Sequence, residues 1–189
     1  MSPTPPPDDA ARADHLTRLT RLIEEFHALP ATSDRRREII AALDDDVNND
    51  DGGDSAALPF LIAVVADPQE YDLARIEAAT LLRLWPPHDP AARRTAGRAL
   101  LDALDDPEED LVRQYAALTL GPYADDPAVH EALAATVHAD DDPLVRDSAL
   151  GAIKDAGPSD TRTDVLRKLT QDAGLGRTAA RILAEWGQN

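Results

Sequence analysis

Apolar residues recur along this chain at steps of three and four positions, which is the period of an amphipathic α-helix. The first such stretch predicts an N-terminal helix over residues 8–29, ended by Pro30. The predicted apolar face of this helix consists of Leu16, Leu19, Leu22, Ile23 and Phe26. Four of the first seven residues are proline, which predicts a disordered, polyproline-like tail over residues 1–7.

From about residue 33 to residue 189 the pattern repeats. Equivalent positions are marked by five arginines at separations of 38, 38, 33 and 31 residues, namely Arg37, Arg75, Arg113, Arg146 and Arg177. Three positions after these arginines stand Ile40, Ala78, Ala116, Ala149 and Ala180. The sharpest match aligns LVRQYAALTLG (111–121) with LVRDSALGAI (144–153). Small residues at this point let a second helix approach closely, so the repeat predicts helices that stack.

In these repeats an acidic turn precedes the helix that carries the arginine, and a helix break follows it. Asp-Pro pairs precede the arginines at 67–68, 106–107 and 142–143, where aspartate is expected to cap a helix and proline to occupy its first turn. After each break, a second helix is predicted at about 55–66, 90–104, 127–138 and 159–172. Because one helix pair cannot bury its apolar face alone, neighbouring pairs must stack. The predicted fold is all-α, a right-handed α-solenoid of stacked antiparallel helix pairs with about nine helices, forming a single domain over residues 8–189.

The succession of Asp-Pro, Val-Arg and small or apolar positions ending near glycine resembles HEAT repeats. It is most similar to the short bacterial repeats of phycocyanobilin lyases, over about residues 33–187 and most clearly over 105–157. The resemblance implies that a turn aspartate bonds the arginine six residues later, a step that Asp140 and Arg146 match. The repeated arginines therefore favour a hydrogen-bond ladder that ties turns to the stack, and a ligand-binding stripe is the alternative.

Composition supports helix and narrows the functional classes. Among 189 residues there are 34 Ala and 24 Leu but only 15 Val and Ile, so a β-sandwich or a doubly wound parallel sheet is disfavoured. The net charge of −17 argues against a general nucleic-acid binder, which needs surplus Lys and Arg. The absence of cysteine excludes disulfides and thiolate chemistry. Since neither a secretory signal nor a membrane-spanning apolar run is recognised, a cytoplasmic location with no membrane partner is expected.

No catalytic, cofactor or metal site is predicted. The acidic stretch 44–54 contains Asp46, Asn48 and Asp50 at the 1-3-5 spacing of a calcium-binding EF-hand loop. The match then fails, because Asp51 stands where glycine is required and Ala57 where glutamate is required. A solvated, flexible loop is the expected alternative. The chain also lacks HExxH, GxSxG and phosphate-loop motifs, so it is not expected to be an enzyme.

The exposed side of the second helices is the candidate binding face, because this side forms the concave surface of HEAT-like solenoids. Several of the few basic residues fall there, whereas the acids concentrate in the turns. The predicted partner-binding residues are Arg94, Arg98, Asp102, His130, Glu131, His138, Arg167 and Lys168. They predict a mixed groove for an acidic or polar peptide or helix, although ordinary charged solvent faces explain the pattern equally well.

Several functions follow from this sequence. The first is a non-enzymatic protein-binding scaffold, a monomer with a protein partner. A narrower version is an immunity-type neutraliser of a basic toxin, which the acidity motivates. A lyase or other cofactor-handling protein is implied by the resemblance alone. A nucleic-acid reader would have to use Arg93, Arg94, Arg98, Arg167 and Lys168, and the charge of −17 disfavours it.

Overall fold

A computed structural model describes residues 7–48 and 56–187. Regular structure in these two ranges is entirely helical. Its elements are α1 (Pro7–Ala28), α2 (Asp34–Ala41), α3 (Asp44–Asn48), α4 (Leu58–Ala66), α5 (Asp72–Leu84), α6 (Pro90–Leu104), α7 (Asp110–Thr119), a 3-10 turn (Gly121–Tyr123), α8 (Pro127–Ala139), α9 (Pro143–Asp155), α10 (Asp160–Leu169) and α11 (Gly176–Glu185). The all-α prediction is confirmed, with ten helices of eight or more residues in the described ranges against about nine predicted.

The structure corrects two predictions about the N-terminal segment, namely the end of its tail and the apolar face of its helix. Residues 1–6 of the predicted tail lie outside the described ranges, and Pro7 is the first residue of α1 rather than the last residue of the tail. On the predicted apolar face of α1, Leu19, Leu22 and Phe26 are buried, whereas Leu16 is exposed. The helix therefore buries its middle and carboxyl-terminal part against its neighbours.

The helices pack in two rows. The first row consists of α2, α5, α7 and α9, each in contact with the next, and the second row consists of α4, α6, α8 and α10. Hairpins join the rows, because α5 packs on α4, α7 on α6, α9 on α8 and α11 on α10. The N-terminal helix α1 lies beside α4 at the start of the second row, where the rings of Phe26 and Phe60 meet edge to face with centroids 5.0 Å apart. The helices in the middle of the two rows, α5 to α9, thus bury their apolar stripes against neighbours on more than one side.

A common register of buried residues explains the first row. We call Arg36, Arg75, Arg113 and Arg146 the register arginines. The residues three, four and seven positions after each of them are buried: Ile39, Ile40 and Leu43; Ala78, Ala79 and Leu82; Ala116, Ala117 and Leu120; Ala149, Leu150 and Ile153. These positions lie on one face of a helix over two turns. The alanines at the third position keep α5, α7 and α9 close together, as the sequence predicted.

Two of the five marker arginines are out of this register. The register residue of α2 is the buried Arg36, whereas Arg37 is exposed and pairs with Glu77. In α11 Ala179 is buried and Ala180 is exposed, so the residue three positions before the buried alanine is Gly176 rather than Arg177. A Cβ atom at Gly176 would lie 2.6 Å from a backbone carbonyl oxygen at the end of α10, so no arginine side chain can occupy this point.

The register arginines form a ladder of ion pairs from each repeat to the next turn. We define the arginine ladder by its four pairs, Arg36–Glu70, Arg75–Asp106, Arg113–Asp140 and Arg146–Asp172. The N–O distance is 2.7 Å in the Arg75–Asp106 pair and 2.5 Å in the Arg146–Asp172 pair. The expected ladder is therefore present, and it lies largely inside the molecule.

The ladder connects different residues from those that the spacing predicted. Arg146 bonds Asp172 of the following turn, whereas Asp140 accepts from Arg113 of the preceding repeat, so the predicted Asp140–Arg146 pair is wrong. Each arginine lies at the start of a first-row helix, and the turn stacked beside it belongs to the next hairpin. Stacking of hairpins, rather than local spacing, selects the partner.

Each ladder aspartate also organises its own turn. The Oδ1 atom of Asp106 accepts the N–H of Glu108, and the Oδ1 atom of Asp140 accepts the N–H of Asp142, both across two residues. This is an Asx turn, which leaves Oδ2 for the arginine of the preceding repeat. One carboxylate thus shapes the turn and holds two repeats together.

The predicted capping role of the Asp-Pro pairs holds at only one of the three first-row sites. Asp142 accepts from the backbone N–H groups of Leu144 and Val145 and caps α9. Asp67 and Asp106 lie several residues before α5 and α7, at Asx turns, and do not cap the amino ends of these helices. Asp-Pro caps instead begin second-row helices, at 89–90 for α6 and at 126–127 for α8.

The acidic stretch 44–54 is not simply a loop. Residues 44–48 form the short helix α3, and the Asp44 carboxylate accepts a hydrogen bond from the Trp85 indole at 2.7 Å. Residues 49–54 of this stretch, which include Asp50 and Asp51 of the failed EF-hand match, lie outside the described residues. Across the described ranges, no helix has both the length and the apolar character that a bilayer crossing demands.

Acidification is expected to destabilise the protein as the pH falls from about 4 toward 2, in part through Asp172. The backbone N–H of Leu175 lowers the pKa of Asp172 most, and Arg146 and the N–H of Gly174 lower it further, from 3.8 to about 2. Because this pKa is depressed in the folded state, the carboxylate stabilises the fold above the unfolded-state pKa. That contribution is lost as the pH falls through the folded-state value.

Urea unfolding followed by circular dichroism between about pH 5 and pH 2 measures this effect. Asp172→Asn keeps an oxygen acceptor for the turn but cannot ionise, so its free energy of unfolding should depend less on pH over this range. An unchanged pH slope in Asp172→Asn would show that the carboxylate does not act in this way.

Candidate functional site

A groove opens on the second row between α4, α6 and the start of α8. Its volume is about 780 Å³, and it runs along the exposed side of α6. The α6 wall extends from Pro90 to Asp102, the α4 wall ends at Ala66, and the far wall begins with the 3-10 turn at Pro122. We call this feature the α6 groove. It is partly open to solvent.

The floor of the α6 groove is apolar. Gly97 in the middle of α6 lacks a side chain, and a Cβ atom there would lie 3.6 Å from the Tyr123 ring and 3.8 Å from Val129. A glycine inside a helix costs about 1 kcal/mol relative to alanine, so the groove floor is obtained at the expense of helix stability. Burial raises the pKa of Tyr123, whose hydroxyl remains protonated and donates to the Leu82 carbonyl at 2.8 Å.

Arg93 is part of the wall. Its guanidinium donates to the carbonyl of Pro87 at 3.2 Å and to the carbonyl of Pro122, and it lies 5.4 Å from the centroid of the Tyr123 ring. These three contacts fix the side chain between α6 and the 3-10 turn. The Arg93 guanidinium is therefore engaged within the protein.

Arg94 and Arg98 supply the positive charge of the rim. They are four residues apart on α6, so both project from the same side of the helix, and both are exposed. Across residues 7–48 and 56–187, neither guanidinium has an ion-pair partner. These two arginines are thus available to a ligand.

The carboxylates across the groove are engaged within the protein. Asp126 caps α8 by accepting the N–H of Ala128 at 2.9 Å, and Asp125 pairs with the buried Arg162 at 3.2 Å. Asp102, on the α6 side, is exposed one turn beyond Arg98. Among the described residues of the rim, Arg94, Arg98 and Asp102 form no ion pair, whereas Asp125 pairs with Arg162 but keeps its side chain 94% exposed.

The structure divides the predicted partner-binding residues into two groups. Arg94, Arg98 and Asp102 line the α6 groove. The other predicted residues lie on α8 and α10 outside it: His130 is half-buried, and Glu131, His138, Arg167 and Lys168 are exposed. Arg167 also pairs with Asp164 of its own helix at 3.0 Å. The predicted face is therefore not one continuous site.

Several groove residues were missing from the sequence-based set of partner-binding residues. Tyr123, Gly97 and Arg93 form the floor and the fixed wall, and they come from two elements that only tertiary packing brings together. Asp126-Pro127 carries a recognisable signal, since aspartate followed by proline commonly begins a helix. An aromatic residue at a break between helices, such as Tyr123, carries no comparable signal.

In the part of the chain that the structure describes, no three His, Asp or Glu side chains are placed to hold a metal ion. No protein-family model, curated protein or solved structure matches this chain. The α6 groove, with its apolar floor and charged rim, is the candidate functional site.

Proposed function

We propose that this chain is a non-enzymatic protein-binding module that receives a segment of its partner in the α6 groove. The observation that carries the proposal is an open groove with an apolar floor at Gly97 and unpaired guanidiniums at Arg94 and Arg98. An apolar floor can bury an apolar side chain of the partner, and a few polar groups at the rim fix the position of the bound segment. A groove open along a helix suits a peptide segment better than an enclosed small molecule.

The proposal includes a HEAT-like α-solenoid that acts as a scaffold. Support comes from the two rows of helices, the common register of the first row and the arginine ladder between successive hairpins. Stacked helix pairs with nearest-neighbour contacts present extended surfaces to partners. The proposed fold is the right-handed superhelix that the repeat predicts.

The proposed setting is the cytoplasm of a bacterium, with the chain as a monomer. The bias of 17 arginines against 2 lysines is typical of GC-rich coding sequence and supports a bacterial source. A chain without cysteine suits a reducing compartment.

A second candidate is a neutraliser of a basic toxin. The net charge of −17 favours capture of a cationic protein, and the turn between α6 and α7 exposes Asp105 and Glu108 beside Asp102. A basic partner would bind this acidic turn rather than the rim of Arg94 and Arg98. The two candidates therefore use different surfaces.

Affinity capture from the host of the gene tests the proposed function when a blocked groove is included. Ala128 is exposed on the far wall, so Ala128→Trp places an indole in the groove without disturbing the core. Ala139 is exposed at the other end of the same helix, outside the groove, so Ala139→Trp is the matched control. We expect one stoichiometric protein to be captured by the wild type and by Ala139→Trp but not by Ala128→Trp.

The other outcomes are equally informative. Capture of a basic protein by all three forms, lost at high salt, would support the toxin neutraliser and contradict binding in the groove. Capture of chaperones alone would contradict both candidates.

A further inference from the structure

We propose that the α6 groove recognises an acidic segment of its partner, with two carboxylates that bind Arg94 and Arg98 and an apolar side chain that contacts the floor. This inference rests on the proposed function and adds the chemistry of the partner. It follows from which charged groups around the groove have partners within the protein and which do not.

The positive charge of the α6 rim is not neutralised by the protein. Ten other arginines have carboxylate partners in the described residues, including the four of the arginine ladder. Arg94 and Arg98 have no such partner, although the chain carries 36 acidic residues against 19 basic ones. Two unpaired guanidiniums side by side on so acidic a protein repel each other and favour an anionic ligand.

The negative groups of the groove leave this preference in place. Asp126 accepts the backbone N–H of Ala128 at the amino end of α8, and Asp125 forms one ion pair with Arg162 although its side chain is 94% exposed. Asp102 lies one turn beyond Arg98, at the end of the groove, and forms no ion pair in the described part of the chain. A ligand that binds between Arg94 and Arg98 thus lies closer to these two guanidiniums than to the Asp102 carboxylate.

The spacing of the two arginines defines the ligand. Four residues of an α-helix rise by about 6 Å, so the partner needs two carboxylates about 6 Å apart. Glutamates or aspartates at i and i+4 of a helix satisfy this distance, and so do residues at i and i+2 of an extended strand. An apolar residue next to them would contact the floor formed by Gly97, Tyr123 and Val129.

Selection from a random peptide library displayed on phage tests this inference. The full-length protein is the bait, and the enriched peptides are synthesised and their affinities measured by fluorescence anisotropy. We expect enriched peptides to carry paired Asp or Glu residues beside an apolar residue. Arg94→Glu combined with Arg98→Glu should weaken their binding about tenfold or more, because attraction is replaced by repulsion.

A second pair of charge reversals separates local recognition from global charge. Arg167→Glu with Lys168→Glu changes the net charge by the same four units on another second-row helix, outside the groove. This control should change the affinity by less than about twofold, since exposed charges at that distance are screened. Circular dichroism and urea unfolding verify that both double variants are folded.

The outcomes distinguish this inference from the proposed function. Binding that is blocked by Ala128→Trp but unchanged by Arg94→Glu with Arg98→Glu would overturn the acidic partner and keep the groove as a binding site. Equal weakening by both double variants would also overturn it, because global charge would then be the cause. Binding that Ala128→Trp leaves intact, or the absence of any enriched peptide, would overturn both.

Discussion

Asp106→Ala is expected to lower the free energy of unfolding by about 3–5 kcal/mol, the largest effect of any single substitution proposed for this protein. Asp106 and Arg75 are almost fully buried, with side chains 7% and 3% exposed. Desolvation raises the pKa of Asp106, but the hydrogen bonds from Arg75 and from the N–H of Glu108 outweigh it, so the pKa is lowered. Removal of the carboxylate leaves the Arg75 guanidinium buried without a counter-ion and the turn without its Asx bond.

Urea unfolding of the variants measures this loss, and an exposed pair is the control. Arg83 and Asp155 form an ion pair at 2.6 Å with side chains 36% and 45% exposed, so Asp155→Ala should cost about 1 kcal/mol or less. Arg75→Met added to Asp106→Ala should recover part of the stability by removing the unpaired charge. If Asp106→Ala and Asp155→Ala unfold at the same urea concentration, the ladder is not a buried element of the fold.

Leu150→Ala is expected to lower the free energy of unfolding by about 2–5 kcal/mol. Leu150 is fully buried on α9, the helix that packs against both α7 and α8, so its truncation leaves a cavity where the two rows meet. Leucine and alanine both favour helix, so the change reports packing more than helix propensity.

The same helix provides a matched control for this substitution. Leu144 is 59% exposed on α9, so Leu144→Ala removes the same atoms from a position that lacks tight packing. Its expected effect is within about 0.5 kcal/mol. Similar losses for the two variants in thermal or urea unfolding would contradict the packing of α9 in this structure.

The arginine ladder and the helix caps change the meaning of the net charge. Four acidic residues accept ladder arginines: Glu70, Asp106, Asp140 and Asp172. Three more cap helices, namely Asp89, Asp126 and Asp142. These carboxylates serve the fold because each hairpin needs a shaped turn and a capped helix. The charge of −17 is therefore weaker support for a basic partner than its size suggests. The partner segment proposed for the α6 groove is acidic.

Local features of the fold were predictable. Helix periodicity and Asp-Pro turns depend on neighbouring residues, and the predicted second helix over 90–104 coincides with α6. The buried stripe of α6 was also predictable, since Ala96, Ala99 and Leu100 recur at helical spacing and are buried. The register of α2 was not, because Arg35, Arg36 and Arg37 are consecutive and one residue rotates a side chain by about 100° around the helix.

The amino-acid sequence by itself determined that this protein is all-helical, that its helices come in repeating pairs and that the exposed side of α6 carries Arg94 and Arg98. Only the tertiary structure decided that each ladder arginine binds the turn of the next repeat and that Gly97, Tyr123 and the start of α8 form a groove with those two arginines. The physical reason is that helix formation and capping are governed by residues a few positions apart. Ion-pair partners and groove walls depend instead on how successive hairpins stack, which brings together residues about 30 positions apart, such as Arg75 and Asp106.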